Sequence, residues 1–186
     1  MLGEWQVWKE ALPKSICDDY LHRLKQLPVS DGNIGEEGTN YNIRRSKVSF
    51  LPGRIGYEDV YDMIDNYVSR INRDYFGFDI SYGVRDIQFT KYSGQDKGHY
   101  NWHHDVFYSQ KEPYHRKLSF TLQLSDPGEY TGGDFEFRDV ENVASDLLRP
   151  QGSILVFPSF LYHRVTPVQE GTRYSLVSWI DGPRWR

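Results

Sequence analysis

The chain has 186 residues, 38% of them apolar, with five Trp, fourteen Tyr and ten Phe and a formal net charge of -4. That length suits one domain around one core, and the aromatic content excludes a disordered chain and favours a β-rich one. The negative net charge argues against a polyanion binder, so nucleic acid is not an expected partner.

The first residues, Met1 to Gln6, have neither the basic nor the apolar stretch of a signal peptide. No apolar run approaches the ~18 residues that span a bilayer. A soluble, cytoplasmic protein without a membrane partner is expected. Residues 3–8 read as a short strand. Pro13 to Leu27 reads as a helix, with Ile16, Tyr20, Leu24 and Leu27 on one face and Pro13 near its start. Cys17, the single cysteine, rules out an internal disulfide and reads as a small core residue. Residues 30–42 carry three Gly and no apolar period, and read as a loop.

The basic cluster Arg44-Arg45-Ser46-Lys47 reads as solvated surface, as does the Arg184/Arg186 end. Residues 45–51 alternate as a strand stopped by Pro52-Gly53. Residues 57–75 place Val60, Ile64, Tyr67, Val68, Ile71 and Tyr75 at helical spacing. From residue 84 the pattern changes to short β-prone runs at 84–92, 99–107, 117–124, 133–138, 153–157, 161–166 and 173–180, divided by turn residues such as Asp126-Pro127-Gly128. The expected architecture is one domain over 1–186. Residues 1–83 form a helical support region with flanking strands, and 84–186 a β-barrel or double sheet.

The residues that carry chemistry lie in Tyr100-Asn101-Trp102-His103-His104-Asp105-Val106. On a strand, residues i and i+2 share a face, so His103 and Asp105 can offer an imidazole and a carboxylate to one point. His163, on the 161–166 strand, is the candidate third ligand. Two His and one carboxylate leave adjacent metal positions open, as in non-haem Fe(II) oxygenases, though Mn(II), Co(II) and Zn(II) accept the same ligands. Arg173 follows His163 by ten residues, a spacing that two antiparallel strands joined by a turn can bring together. Its guanidinium can clamp a carboxylate with two hydrogen bonds. The spacing by itself is weakly specific. A metal-binding cupin without redox chemistry stays open at this point.

Ser119 to Phe137 (SFTLQLSDPGEYTGGDFEF) and Gln151 to Pro183 (QGSILVFPSFLYHRVTPVQEGTRYSLVSWIDGP) resemble the prolyl/lysyl-hydroxylase-type (PKHD-type) 2-oxoglutarate/Fe(II) oxygenases. Tyr92-x-Gly94 and Tyr100-x-x-His103-x-Asp105 fit the same prolyl 4-hydroxylase-like group. The resemblance covers about residues 84–186, and the N-terminal part only in outline. It implies a double-stranded β-helix (jelly roll, cupin-like) with N-terminal helices. It implies His103, Asp105 and His163 as Fe(II) ligands and Arg173 on the far carboxylate of 2-oxoglutarate. Tyr92 and Gln123 would contact the cosubstrate, with Thr121 and Ser119 on the Gln123 face. Ser175 would assist Arg173, and Val165 and Trp179 would be walls of the pocket.

The resemblance further implies a dioxygenase that uses O2, with ascorbate as an accessory. Asp105 marks a hydroxylase, because the related halogenases carry a small residue there. The expected substrate is proline in a peptide or protein; a small molecule or a nucleobase is the alternative. Residues 30–42 and 106–117 would flank the mouth, with Trp102, Tyr108 and Tyr114 as candidate platforms for a proline ring.

Overall fold

The computed structural model describes residues 4–33, 38–106, 108 and 111–185. In chain order these form β1 (Gln6–Trp8), α1 (Lys14–Leu24), β2 (Ser30–Asp31), β3 (Arg44–Arg45), β4 (Lys47–Phe50) and α2 (Glu58–Ile71). There follow β5 (Gly83–Ser93), β6 (His99–His103), β7 (Tyr114–Gln123), β8 (Tyr130–Gly132) and β9 (Phe135–Phe137). The chain continues through α3 (Ser145–Leu148), β10 (Ile154–Pro158), β11 (His163–Val165) and β12 (Val168–Pro183). A major sheet runs β1-β10-β7-β12-β5-β4-β2, with β8 on the start of β12, and faces a minor sheet ordered β3-β6-β11-β9. Every pairing is antiparallel. The fold is the expected double-stranded β-helix.

Alternation along three long strands divides the major sheet into two faces. On one face, cross-strand neighbours are Phe89, Leu176 and Leu122, and beyond them Ile180 and Leu118. These pack against Cys17, Tyr20 and Leu24 of α1 and Val60, Ile64, Val68 and Ile71 of α2. Removing so many apolar side chains from water, at about 25 cal/mol per Å², is what fixes the helices to the sheet. On the other face the same strands present Thr90, Ser175 and Gln123, then Gln88, Val177 and Thr121, then Trp179 and Ser119. That face looks into the space between the sheets.

Several local expectations are corrected. In α1 the buried residues are Cys17, Tyr20 and Leu24, while Ile16 is exposed; the helix ends at Leu24, with Leu27 only partly buried. Burial pushes the Cys17 thiol up to about 11, which leaves it an inert core residue. α2 ends at Ile71 and continues as one wider turn of π geometry, Asn72–Phe76. The widening buries Phe76 and turns Tyr75 outward. The expected 45–51 strand is two strands in different sheets, β3 on β6 and β4 on β5. Ser30–Asp31, read as loop, adds an edge strand to β4; residues 34–37 of that segment lie outside the described residues. Arg44, read as surface, is buried, while Arg45 is exposed. No helix among the described residues is long and apolar enough to cross a membrane.

Candidate metal centre and cosubstrate pocket

The minor sheet supplies two of the three candidate ligands. His103 ends β6 and His163 begins β11, and they are direct cross-strand partners. Asp105 is not on the strand, as expected from its i+2 spacing, but in a bend after it. There its backbone N–H donates to Ser159 O at 2.8 Å. The i+2 spacing does bring Asp105 beside His103, but through the bend and not through a strand position. His103 Nε2 lies 3.8 Å from Asp105 Oδ1, and His163 Nε2 lies 3.6 Å from Asp105 Oδ2. All three ligand atoms fall within 4.8 Å of one another.

The donor set fits a divalent ion. The Nδ1 atoms of His103 and His163 lie 2.7 and 2.9 Å from the carbonyls of Asn101 and Leu161. A carbonyl only accepts, so each Nδ1 carries a proton and each Nε2 is the nitrogen turned toward Asp105. Burial holds His103 down, at about 3, so it is neutral. Burial works against ionisation of Asp105, but His163, His103, Arg116 and the Ser119 hydroxyl outweigh it and hold the carboxyl at about 2. Two imidazoles and one carboxylate are the facial set suited to Fe(II). Around them, the Ser119 Oγ of the major sheet donates to Asp105 Oδ2 at 2.6 Å and meets Ser159 Oγ at 2.9 Å. Tyr100 stacks on His103 with centroids 3.5 Å apart, and Phe135 stacks on His163 at 5.2 Å.

These ligands open on a cavity of about 330 Å³ between the sheets. Tyr92, Thr121, Val165, Arg173, Ser175 and Trp179 all line it, as do Arg44 and Arg116. His163 and Arg173 were expected on paired strands. They instead occupy opposite sheets and meet across the cavity, because β11 belongs to the minor sheet and β12 to the major one. Gly171 permits this turn-and-return: its φ is +73°, and a Cβ there would stand 1.9 Å from Glu129 O. Arg173 is 4% exposed and has no carboxylate partner among the described residues; its Nη2 donates to Gln123 Oε1 at 2.9 Å. Gln123 Nε2 in turn donates to Tyr130 Oη at 2.5 Å. Gln123 lines a neighbouring pocket that reaches Arg173 from behind, rather than the main cavity. Burial raises the Tyr92 phenol and pushes Tyr100 up to about 12, so both are neutral.

Trp102, Tyr108 and Tyr114 do not line the cavity. The Arg164 guanidinium packs on Trp102 at 4.6 Å, and that of Arg85 on Tyr114 at 4.2 Å. Phe107, Ser109 and Gln110 of the flanking segment lie outside the described residues. Sequence reasoning missed Arg44 and Arg116. Arg116 stacks over Trp179 at 3.8 Å, and its Nη1 donates to Asp105 O at 3.3 Å. The available signal was alternation: in Arg44-Arg45-Ser46-Lys47 the first and third residues are buried and the second and fourth exposed.

Residues 87–181 match the 2OG-Fe(II) oxygenase superfamily, a span that includes all three candidate ligands and Arg173. The chain belongs to this family. A PKHD-type hydroxylase from Prochlorococcus marinus is 40% identical over 105 residues, which cover 56% of this chain and 45% of that protein. The chain thus spans under half the length of that relative. The Pseudomonas putida prolyl-4-hydroxylase superposes with a TM-score of 0.72 at 19% identity, covering 97% of this chain and 93% of that one. A Trichoplax adhaerens prolyl hydroxylase, in complex with a hypoxia inducible factor peptide fragment, gives 0.72 at 17% identity and covers 95% and 83%. At these identities both are likenesses of fold. Family membership brings Fe(II), 2-oxoglutarate and O2, and His103, Asp105 and His163 fit an iron-binding triad.

Proposed function

We propose that this protein is an Fe(II)- and 2-oxoglutarate-dependent hydroxylase acting on prolyl residues of a peptide or protein. The observation that carries the reading is one cavity holding both a His-Asp-His triad and a buried guanidinium without a counter-ion among the described residues. A metal-binding cupin without redox chemistry has no use for the second feature.

His103, Asp105 and His163 would hold the ion. Iron, when bound, supplies the oxidative decarboxylation of 2-oxoglutarate coupled to hydroxylation of a C–H bond. The chain supplies position. Arg173 would clamp the far carboxylate, with Ser175, Thr121 and Tyr92 beside it on the cavity wall. Gln123 would act from behind, turning the guanidinium through its 2.9 Å hydrogen bond. Val165 and Trp179 would narrow the space and exclude water. Ser119 would orient Asp105, whose second oxygen is thereby kept from rotating. The prolyl assignment is supported by the fold shared with prolyl hydroxylases and by relatives named PKHD-type hydroxylases.

The test is succinate release from 2-oxoglutarate by anaerobically iron-loaded protein exposed to O2, with and without a library of prolyl peptides. Succinate stimulated by a peptide, with a mass gain of one oxygen on its proline, is expected. Oxidation of a free amino acid or nucleobase with every prolyl peptide unchanged would overturn the substrate assignment. Failure of 2-oxoglutarate to bind the iron-loaded protein would overturn the oxygenase reading.

A further inference from the structure

Arg173 is not the only buried cation facing the cavity without an acid to pair with among the described residues. Arg44 lines the same cavity and is 6% exposed. Its Nε donates to Ser46 Oγ at 2.9 Å and its Nη1 to Asn33 O at 3.1 Å, and Nη2 takes no partner among the described residues. Both acceptors are neutral. Among the described residues, no acid that lines the cavity is paired with Arg44. Asp31 pairs with Lys47 at 2.8 Å, Asp105 faces the two ligand imidazoles, and Asp86 is exposed on β5.

The placement is built. Gly32 lies so close that a Cβ there would meet Ser46 Oγ at 2.4 Å and Arg44 Nε at 2.6 Å. Only glycine leaves room for this guanidinium. The Gly32 N–H also donates to Ser46 O at 2.9 Å, which closes the cradle. The Arg44 guanidinium packs over the Tyr100 ring at 4.6 Å, and Tyr100 stacks on His103. The cation is therefore held one aromatic layer from a candidate metal ligand. A buried guanidinium with only neutral partners is costly. It repays that cost when a carboxylate arrives, because hydrogen bonds to a charged partner are about twice as strong as neutral ones.

We infer that Arg44 is a second carboxylate site of this cavity and that the molecule oxidised there carries an acidic group close to the carbon attacked. The inference rests on the oxygenase reading for what is oxidised, and adds charge selectivity to it. The carboxylate can belong to an acidic residue beside the target or to the target's own main-chain terminus, and the test separates these sources.

The full chain, loaded with Mn(II) and 2-oxoglutarate without O2, is titrated calorimetrically with three acid–amide pairs. They are capped Gly-Asp-Pro-Gly against Gly-Asn-Pro-Gly, capped Gly-Pro-Asp-Gly against Gly-Pro-Asn-Gly, and L-proline against L-prolinamide. The acid of at least one pair is expected to bind roughly tenfold or more tightly than its amide. Arg44→Gln is expected to erase that preference, and Arg44→Lys to keep part of it. Unchanged 2-oxoglutarate affinity certifies that a variant is folded. If Arg44→Gln fails that control, Gly32→Ala, which displaces the guanidinium but keeps its charge, takes its place and should also erase the preference. Equal or absent binding across all three pairs overturns the inference, as does a preference that survives Arg44→Gln. Should 2-oxoglutarate not bind the parent, the oxygenase reading fails, and the same comparison without it still decides the role of Arg44.

Discussion

The two faces of the major sheet are made by the same strands and do different work. Behind β5, β7 and β12, Phe89, Leu122, Leu176 and Ile180 bury themselves against the helices. In front, Ser119, Gln123, Arg173 and Ser175 are equally buried but polar. A buried apolar row is stable by itself. A buried polar row costs energy unless each member finds a partner, and here the partners are partly one another and partly whatever enters the cavity. The lesson is that burial alone does not separate core from site; the hydrogen-bond account does.

That division can be broken from either side. The largest effect is expected for His163→Ala, which removes one of the three candidate ligands. Peptide-stimulated succinate release should fall by at least ~10³-fold, while the metal-free melting temperature stays near that of the parent. Phe120→Ala, on the helix side and fully buried, should cost about 3–5 kcal/mol in denaturant unfolding. The protein that remains folded should bind 2-oxoglutarate as the parent does. Arg173→Gln should weaken 2-oxoglutarate binding on the order of 10²-fold, as one or two charge-assisted hydrogen bonds are lost. Metal affinity should not follow; if it did, Arg173 would be a structural member of the centre. Ser119→Ala should lower metal affinity about 10–100-fold by freeing Asp105, a change read by competition with a chelator. At the far surface, Arg54→Ala breaks its contacts with Asp62 and Asp65 on α2. It should cost below about 1 kcal/mol, because exposed pairs contribute little, and should not alter the site.

Much of this was legible in the sequence. The β-rich C-terminal half and both helices follow from periodicity, and the gathering of His103, Asp105, His163 and Arg173 around one cavity from ligand type and resemblance. What escaped has physical reasons. Asp105 keeps its strand spacing from His103 but leaves the strand, because its backbone N–H is taken by Ser159, a residue distant in sequence. His163 and Arg173 looked like neighbours on a hairpin, yet Gly171 and the pairing of early β12 with β8 carry the chain to the other sheet. Arg44 looked like surface because it sits in a basic run. Its burial depends on Gly32, twelve residues earlier, where a missing side chain leaves no compositional mark. The outward turn of Tyr75 reflects a single wider turn at the end of α2, which helical spacing cannot encode.

The length of β12 gives the cavity a ruler. Arg173, Ser175, Val177 and Trp179 occupy successive positions on its inner face, from the proposed carboxylate clamp to the rung that pairs with Ser119 beside Asp105. Inserting one residue between Arg173 and Trp179 would rotate the clamp into the helical core. Removing two would preserve the face and shift the clamp by about 6.6 Å along the strand. On the proposed reading, the chain length of the acid spanning clamp and metal is thus written into a count of residues on one strand, and can be reset only in steps of two.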